Sequence, residues 1–197
     1  MKIRRFLSVF FVTCLLCTLL TPQALALEDP DIRAKAAILV DADSGTVLYD
    51  KNIHQELPMA SITKVMTALV VLEHCNLNET VTFSETATTN LESGAVALGV
   101  SEGDQLTVEQ SLYGLLLKSA NEIGNGLAEH VSGSVSAFAD LMNTKAKELG
   151  CKNTHFNNPN GLPDENHYTT ASDMAKIAKS AWMNPLYRKF CTRRYYE

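Results

Sequence analysis

The 197-residue chain contains 17 basic and 22 acidic residues, five histidines and five cysteines, and 46% of its residues are hydrophobic. This length suits one globular domain with a substantial core. The formal net charge of −5 argues against a nucleic-acid partner, whose phosphates require a basic face. No repeat of fixed period and no low-complexity segment occurs.

The first 26 residues are typical of a secretory signal. Three basic residues near the start precede an apolar stretch over 6–20, and the small-residue sequence Ala-Leu-Ala at 24–26 predicts a cleavage site. A transmembrane anchor is the alternative, but this stretch is short for a bilayer span of about 20 residues. We therefore expect an exported domain over 27–197, with a net charge of 14 − 22 = −8 after three basic residues are removed.

Residues 36–52, AAILVDADSGTVLYDKN, predict a β-hairpin. Two runs rich in β-forming residues, 37–40 and 46–49, flank the turn-forming sequence Asp-Ser-Gly. Asp41 and Asp43 resemble the start of a calcium loop, but the glycine falls one position too early and the required glutamate is missing. We therefore assign the acidic pair to the turn.

The pattern changes to helical spacing from Pro58 onward. Apolar residues recur there every three or four positions, which predicts a largely buried helix with Ser61 in its first turn. Further helices are predicted over 121–131 and 134–149. Capping signatures predict two more helix starts, at Thr107 with Gln110 and at Thr170 with Asp173.

The predicted hairpin lacks partners in this sequence. A single hairpin is marginal alone in water, and residues 53–197 offer no convincing further strands. We therefore expect an N-terminal fragment whose remaining sheet strands lie beyond Glu197. Three cysteines remain after the signal, Cys75, Cys151 and Cys191, and their odd number and wide spacing predict buried thiols rather than disulfides.

The stretch LPMASITKVMTALVVLEH, residues 57–74, places Ser61 and Lys64 three positions apart. Positions i and i+3 share a helix face, so the Lys64 amine can reach the Ser61 hydroxyl. Free N–H groups and the positive end of the helix dipole would stabilise an oxyanion at this position. The pair fits a nucleophile with its base, and it also fits a helix cap beside a lysine that extends to water.

A base must be neutral for part of the time. Free lysine has a pKa near 10.4, so half neutralisation near pH 7 requires a shift of about three units, equivalent to about 4 kcal/mol. Burial among Val65, Met66 and Leu69 would lower the pKa of Lys64 in this direction. Burial of Lys64 is therefore the condition for this chemistry.

A second polar group interrupts the helical region at Ser119-Ala120-Asn121. The Ser119 hydroxyl could pass a proton between Lys64 and a leaving amine, while the Asn121 amide could hold both the lysine and a substrate carbonyl. A helix–helix turn capped by Ser119 is the structural alternative.

Together these motifs resemble the active-site serine penicillin-recognising enzymes, which share Ser-x-x-Lys, Ser-x-Asn and Lys-Thr-Gly motifs. Within that superfamily the chain is similar to the low-molecular-mass penicillin-binding proteins that act as D-alanyl-D-alanine carboxypeptidases. Four stretches follow the family's order, at 36–52, 58–70, 106–131 and 156–178.

The resemblance implies a role for each residue. Ser61 would be the acylated nucleophile and Lys64 its general base, while Ser119 would transfer a proton and Asn121 would position the substrate and the lysine. The Ser61 backbone N–H would be one oxyanion-hole donor. The implied fold is the mixed α/β (α+β) fold of β-lactamases and transpeptidases, in incomplete form.

Two features depart from the family pattern. No Lys-Thr-Gly occurs in the chain, which agrees with the expected truncation, and Asn160 stands where relatives often carry histidine. We expect Asn160 to tune its loop. His155 and His167 lie in the same polar loop without metal-ligand spacing, so we expect solvated or structural histidines. No metal or organic cofactor is implied.

The resemblance implies a serine carboxypeptidase of the bacterial cell envelope, exported beyond the cytoplasm. It would remove the terminal D-alanine from peptidoglycan stem peptides through an acyl-enzyme on Ser61, and β-lactams would acylate the same serine. A region beyond Glu197 would provide the rest of the pocket and any attachment to the membrane surface. We therefore expect residues 27–197 to be inactive alone.

Two other functions stay open at this point. A class A-like β-lactamase requires a carboxylate that activates the deacylating water, and the matching region, 151–169, offers only Asp164 and Glu165. A non-catalytic domain could use the same pocket to detect β-lactams or peptidoglycan.

Overall fold

A computed structural model describes residues 30–89, 91, 95–194 and 196. The expected signal, residues 1–26, lies outside this part of the chain. The chain divides into two units, Met1–Arg33 and Ala34–Glu197, and the second holds every helix and strand described below. Among the described residues, no helix is long and apolar enough to cross a membrane.

The N-terminal hairpin is present as predicted. Strands β1 (Ala37–Val40) and β2 (Val47–Lys51) pair antiparallel, and β2 begins one residue later and ends two residues later than the sequence pattern indicates. Asp41 Oδ1 accepts hydrogen bonds from the Ser44 N–H at 2.7 Å and the Ser44 hydroxyl at 2.6 Å. Asp41 therefore shapes the turn.

Helices form most of the remaining structure. A 3-10 turn (Ala60–Thr63) leads directly into helix α1, and a π-helical turn (Gly114–Lys118) follows helix α3. The helices are α1 (Lys64–His74), α2 (Glu85–Thr89), α3 (Val108–Tyr113), α4 (Asn121–Ser132), α5 (Val135–Glu148), α6 (Ala171–Met183) and α7 (Pro185–Cys191).

Residues 53–197 do contain two strands that the sequence pattern did not indicate, although neither joins the sheet of the hairpin. Strands β3 (Thr80–Thr82) and β4 (Gln105–Thr107) form a second antiparallel ribbon. Each has only three residues, too few for alternating polarity to be recognised, and their pairing closes a loop of more than twenty residues. Thr107 is both the last residue of β4 and the N-cap of α3. Its side chain therefore indicated the start of a helix and gave no sign of the strand before it.

The predicted helix caps are confirmed. Thr107 Oγ1 accepts from the Gln110 N–H at 3.1 Å, and Gln110 Oε1 accepts from the Thr107 N–H at 2.8 Å. Thr170 Oγ1 accepts from the Asp173 N–H at 3.1 Å. These bonds satisfy backbone donors that a helix start leaves unpaired.

Helix α1 lies at the centre of the core. It packs against α4, α5 and α6. Its residues Met66, Ala68, Val70 and Val71 are almost fully buried. Because α1 is covered by other helices on most of its surface, apolar residues occupy more than one face, which is the broad pattern seen in the sequence.

The three cysteines in the described part of the chain are free thiols, as predicted. Cys75 and Cys151 are half-buried, whereas Cys191 is exposed, so the expectation of buried thiols was wrong for Cys191.

Candidate active site

Ser61 lies on the 3-10 turn that precedes α1, and its side chain is exposed. The preceding Ala60 has φ of 47°, a left-handed conformation that costs a non-glycine residue about 1–3 kcal/mol. Gly161 packs against this point, because a Cβ on Gly161 would lie 1.8 Å from the Ala60 carbonyl oxygen. The strained turn therefore presents Ser61 to solvent while the glycine permits the close approach behind it.

Lys64 is the first residue of α1 and is only 2% exposed. Its Nζ donates to Asn121 Oδ1 at 2.7 Å, to the Asn160 carbonyl oxygen at 2.8 Å and to Ser61 Oγ at 3.3 Å. All three acceptors are uncharged. Lys64 is therefore buried, as its use as a base requires, and the Ser61–Lys64 contact forms as predicted.

This environment disfavours the protonated amine. Burial lowers the pKa of Lys64 to about 8, against the opposing effect of the Glu122 carboxylate. About one molecule in ten then holds a neutral amine at pH 7. A neutral Nζ has a lone pair that can accept the Ser61 hydroxyl proton, so the pair can act as base and nucleophile.

The segment with Ser119 and Asn121 lies between the π-helical turn and α4. Ser119 ends that turn with φ of 62°, also left-handed, and Asn121 begins α4. π-Helical turns occur often at functional sites because the extra residue redirects the chain. Asn121 reaches Lys64 directly, whereas Ser119 forms no hydrogen bond with Lys64 within the described part of the chain.

The loop that precedes α6 docks on the start of α1 through three hydrogen bonds. Thr67 Oγ1 donates to the Pro159 carbonyl at 2.7 Å, Lys64 Nζ donates to the Asn160 carbonyl, and Thr63 Oγ1 lies 2.8 Å from His167 Nε2. Sequence reasoning treated Asn160 as a loop residue only. It missed the backbone contact to Lys64, which no side-chain pattern reveals.

His167 has a defined protonation state. The Asn157 N–H donates to His167 Nδ1 at 3.0 Å, so Nε2 must carry the ring proton and donate it to Thr63 Oγ1. Burial lowers the pKa of His167 to about 4, so the ring is neutral. The prediction of a structural histidine is confirmed for His167.

The Asn160 side chain is buried beneath the site. Its Nδ2 donates to Asn125 Oδ1 at 2.7 Å, while its Oδ1 has no hydrogen-bond partner among the described residues. A Cβ on Gly124 would lie 2.1 Å from that oxygen, so the glycine makes room for it. This packing fixes the backbone carbonyl that faces Lys64.

A buried carboxylate fixes the other side of the site. Glu122 Oε1 accepts from the N–H groups of Leu98 and Gly99, and the Asn121 N–H donates to the Val96 carbonyl at 2.9 Å. Glu122 is 1% exposed. These bonds hold residues 96–99 against the start of α4, next to Asn121.

The sequence is similar to D-alanyl-D-alanine carboxypeptidases, both by family model and by individual relatives. The family model described as D-alanyl-D-alanine carboxypeptidase matches residues 23–197. The chain is 38% identical over 187 residues to the D-alanyl-D-alanine carboxypeptidase DacF of Bacillus subtilis, covering 89% of this chain and 47% of that protein. The chain thus spans about half the length of the curated relatives that it matches.

Solved structures share the same fold. A D-alanyl-D-alanine carboxypeptidase from Mycobacterium tuberculosis superposes with a TM-score of 0.79 at 35% identity, covering 86% of this chain and 64% of that one. Penicillin binding protein 5 from Haemophilus influenzae gives a TM-score of 0.76 at 32% identity, covering 82% and 48%. The predicted mixed α/β fold is confirmed, and the chain belongs to the D-alanyl-D-alanine carboxypeptidase family.

Proposed function

We propose that the protein is a serine-type D-alanyl-D-alanine carboxypeptidase that removes the terminal D-alanine from peptidoglycan stem peptides. The observation that carries this proposal is the Lys64 amine, buried among neutral acceptors and 3.3 Å from the Ser61 hydroxyl. Family membership supports the same activity.

In the acylation step, Ser61 Oγ attacks the carbonyl carbon of the penultimate D-alanine. The hydroxyl proton passes to the neutral Nζ of Lys64, and the bond to the terminal D-alanine nitrogen breaks. Ser119 gives its hydroxyl proton to that leaving amine and takes a proton from the Lys64 ammonium, so that both residues return to their starting states. Water then hydrolyses the Ser61 ester, which restores the hydroxyl and releases the shortened peptide.

The charge that develops on the substrate oxygen needs hydrogen-bond donors. We assign the Ser61 N–H as one such donor, because the turn that carries it leads into the N-terminus of α1, where the helix dipole is positive. Asn121 Oδ1 faces Lys64, so the amide nitrogen of Asn121 is directed elsewhere and is available to a substrate carbonyl.

The same reaction would acylate Ser61 with a β-lactam, whose ring amide replaces the peptide bond. We place the protein in the extracytoplasmic cell envelope, because the substrate is found there and residues 1–26 are typical of an export signal. Attachment to the membrane surface is a further part of the proposal. Inactivity of residues 27–197 alone stays a prediction, and efficient D-alanine release by that segment would contradict it.

A fluorescent penicillin tests the proposed nucleophile. In the full gene product we expect covalent labelling that Ser61→Ala abolishes. Ser101→Ala is the matched control, because it removes an exposed serine hydroxyl and should label like the parent. Labelling of Ser61→Ala at the parental rate would remove Ser61 from its role.

The alternatives give different results in assays of turnover. Asp164 accepts bonds from the Asn157 side chain and the Asn166 N–H, so it serves its own loop and does not favour a β-lactamase. Hydrolysis of a chromogenic cephalosporin at many turnovers per second would favour that enzyme. Labelling by penicillin without release of D-alanine from a stem-peptide substrate would favour a sensor.

A further inference from the structure

We propose that Cys75, Glu79 and His130 form a zinc-binding site, remote from Ser61 and independent of the carboxypeptidase function. One ligand atom from each residue, a sulfur, a carboxylate oxygen and a ring nitrogen, lies within 4.8 Å of the other two. Thiolate, imidazole and carboxylate are the ligands that zinc takes in proteins. Three protein ligands with an open fourth position is a common zinc arrangement.

The distances require little movement. Bonds of 2.0–2.3 Å place the ligands of a tetrahedral zinc ion about 3–4 Å apart. His130 Nε2 and Glu79 Oε2 are already 3.1 Å apart. The Cys75 sulfur lies no more than 4.8 Å from either atom, so closing the remaining distances requires side-chain shifts of no more than about 1–2 Å.

The backbone holds all three residues in place without a metal. Cys75 directly follows α1, and its N–H donates to the Val71 carbonyl at 3.0 Å. The backbone of Glu79 is held by two hydrogen bonds: its carbonyl oxygen accepts from the Val108 N–H at 2.9 Å, and its N–H donates to the Asn76 carbonyl at 3.2 Å. His130 lies in the last turn of α4. A metal would therefore meet a largely formed site.

Asn76 orients the carboxylate. Its N–H and its side-chain Nδ2 both donate to Glu79 Oε1, at 2.7 and 2.8 Å. The second oxygen, Oε2, is thereby directed to His130 Nε2. Hydrogen bonds of this kind fix the orientation of metal ligands in known sites.

Zinc binding would replace the contact between His130 Nε2 and Glu79 Oε2 with bonds from both atoms to the metal. The Cys75 thiol loses its proton to solvent and binds as thiolate, and His130 binds through Nε2 as a neutral ring with its proton on Nδ1. The His130 and Glu79 side chains are 23% and 37% exposed, so water can enter the fourth position. An ion can therefore reach the three ligands from solvent.

The site lies between the ends of two helices. Helices α1 and α4 pack together, with Lys64 and Asn121 in contact at their starts and Cys75 and His130 close together at their ends. The two clusters are separated by about 14–16 Å of helix. Zinc would therefore join the far ends of the two helices that carry the proposed catalytic residues.

Cobalt(II) provides the first test, because a thiolate ligand gives it an intense near-ultraviolet charge-transfer band. We expect the full gene product to bind one equivalent of Co²⁺ with this band and Zn²⁺ to displace it. Cys75→Ser should abolish the band, and His130→Asn should weaken Zn²⁺ binding at least about 100-fold. Asn76→Ala should weaken it about tenfold while the band remains.

Matched controls separate the site from other thiols and histidines. Cys151→Ser removes a second half-buried thiol, and His74→Asn removes an exposed histidine next to Cys75. Both should bind Zn²⁺ like the parent. No charge-transfer band in the parent, or a band of equal intensity and affinity in Cys75→Ser, would overturn the proposal.

Thermal unfolding in the presence of chelator, and then of Zn²⁺, gives an independent readout. At a hundredfold excess over Kd, Zn²⁺ should raise the parental Tm by about 5–10 °C and leave His130→Asn unchanged. Equal stabilisation of both proteins would contradict the site. If Cys75→Ser fails to fold, His130→Asn and Asn76→Ala still decide between these outcomes.

Discussion

Two buried charged side chains, Lys64 and Asp173, are both almost inaccessible to water but have opposite environments. Among the described residues the acceptors of the Lys64 amine are neutral, and burial lowers the pKa of Lys64 to about 8, so the charged form is disfavoured. Burial alone would raise the pKa of Asp173, but hydrogen bonds from the Lys176 amine, the Thr154 hydroxyl and two backbone N–H groups outweigh it and lower the pKa.

The difference shows which buried charge serves the fold. The Asp173 carboxylate accepts hydrogen bonds from the Lys176 amine and from residues 152–154. These bonds join the start of α6 to residues 152–154. Lys64 has no ion-pair partner among the described residues, which reduces stability and leaves a base that can be neutral near physiological pH. We therefore expect substitutions at the two sites to have opposite consequences for stability and chemistry.

The largest effect is expected for Lys64→Gln. Loss of the base should lower the rate of penicillin acylation of the full gene product at least about 1,000-fold. The free energy of unfolding should stay the same or rise, because a buried cation with no ion-pair partner among the described residues is removed. Stopped-flow labelling and urea unfolding measure the two quantities. A strongly destabilised variant would show that Lys64 serves the fold instead.

Asp173→Ala should have the reverse pattern. Removing the carboxylate leaves buried donors unpaired and should cost about 3–5 kcal/mol in urea unfolding near neutral pH. Because the folded pKa of Asp173 is lowered, its contribution is present above the unfolded value of 3.8 and is lost as the pH falls through the folded value. The difference between parent and variant should therefore shrink in acid.

An exposed aspartate provides the control for this substitution. Asp140→Ala should change the free energy of unfolding by less than about 0.5 kcal/mol, because its carboxylate is on the surface of α5. Equal losses at Asp140 and Asp173 would mean that the hydrogen bonds to Asp173 do not determine its contribution.

The Lys64 charge also predicts a change in stability at alkaline pH. The folded pKa is about 8 and the unfolded value 10.5, so between them the unfolded state holds the extra proton and the stability of the parent rises with pH. Relative to Lys64→Gln, the parent should gain about 3 kcal/mol between pH 8 and 10.5. Parallel pH profiles of the two proteins would contradict the lowered pKa.

The smallest effect concerns the helix cap next to Asp173. Thr170→Ala removes the hydroxyl that accepts the Asp173 N–H and should cost about 1 kcal/mol in urea unfolding. Thr170→Ser keeps an acceptor and should recover most of this loss. A Thr170→Ala protein as stable as the parent would show that solvent replaces the cap.

Local signals in the sequence predicted the hairpin, the α1 helix and both threonine caps, because the interacting groups lie within a few residues of one another. The Ser61–Lys64 contact follows from the same helical spacing. The Asn160 carbonyl reaches Lys64 across 96 positions through a backbone atom, so its residue type carries no signal. Likewise the Cys75, Glu79 and His130 cluster exists only after α1 and α4 pack together.

The pH dependence of acylation by a fluorescent penicillin most directly tests whether Lys64 is a base with a lowered pKa. If neutral Lys64 accepts the Ser61 proton, the second-order rate constant for the full gene product should fall about tenfold per pH unit below pH 8 and level off above it. A rate constant that does not change between pH 6 and pH 9, with acylation still limiting, would contradict this role for Lys64.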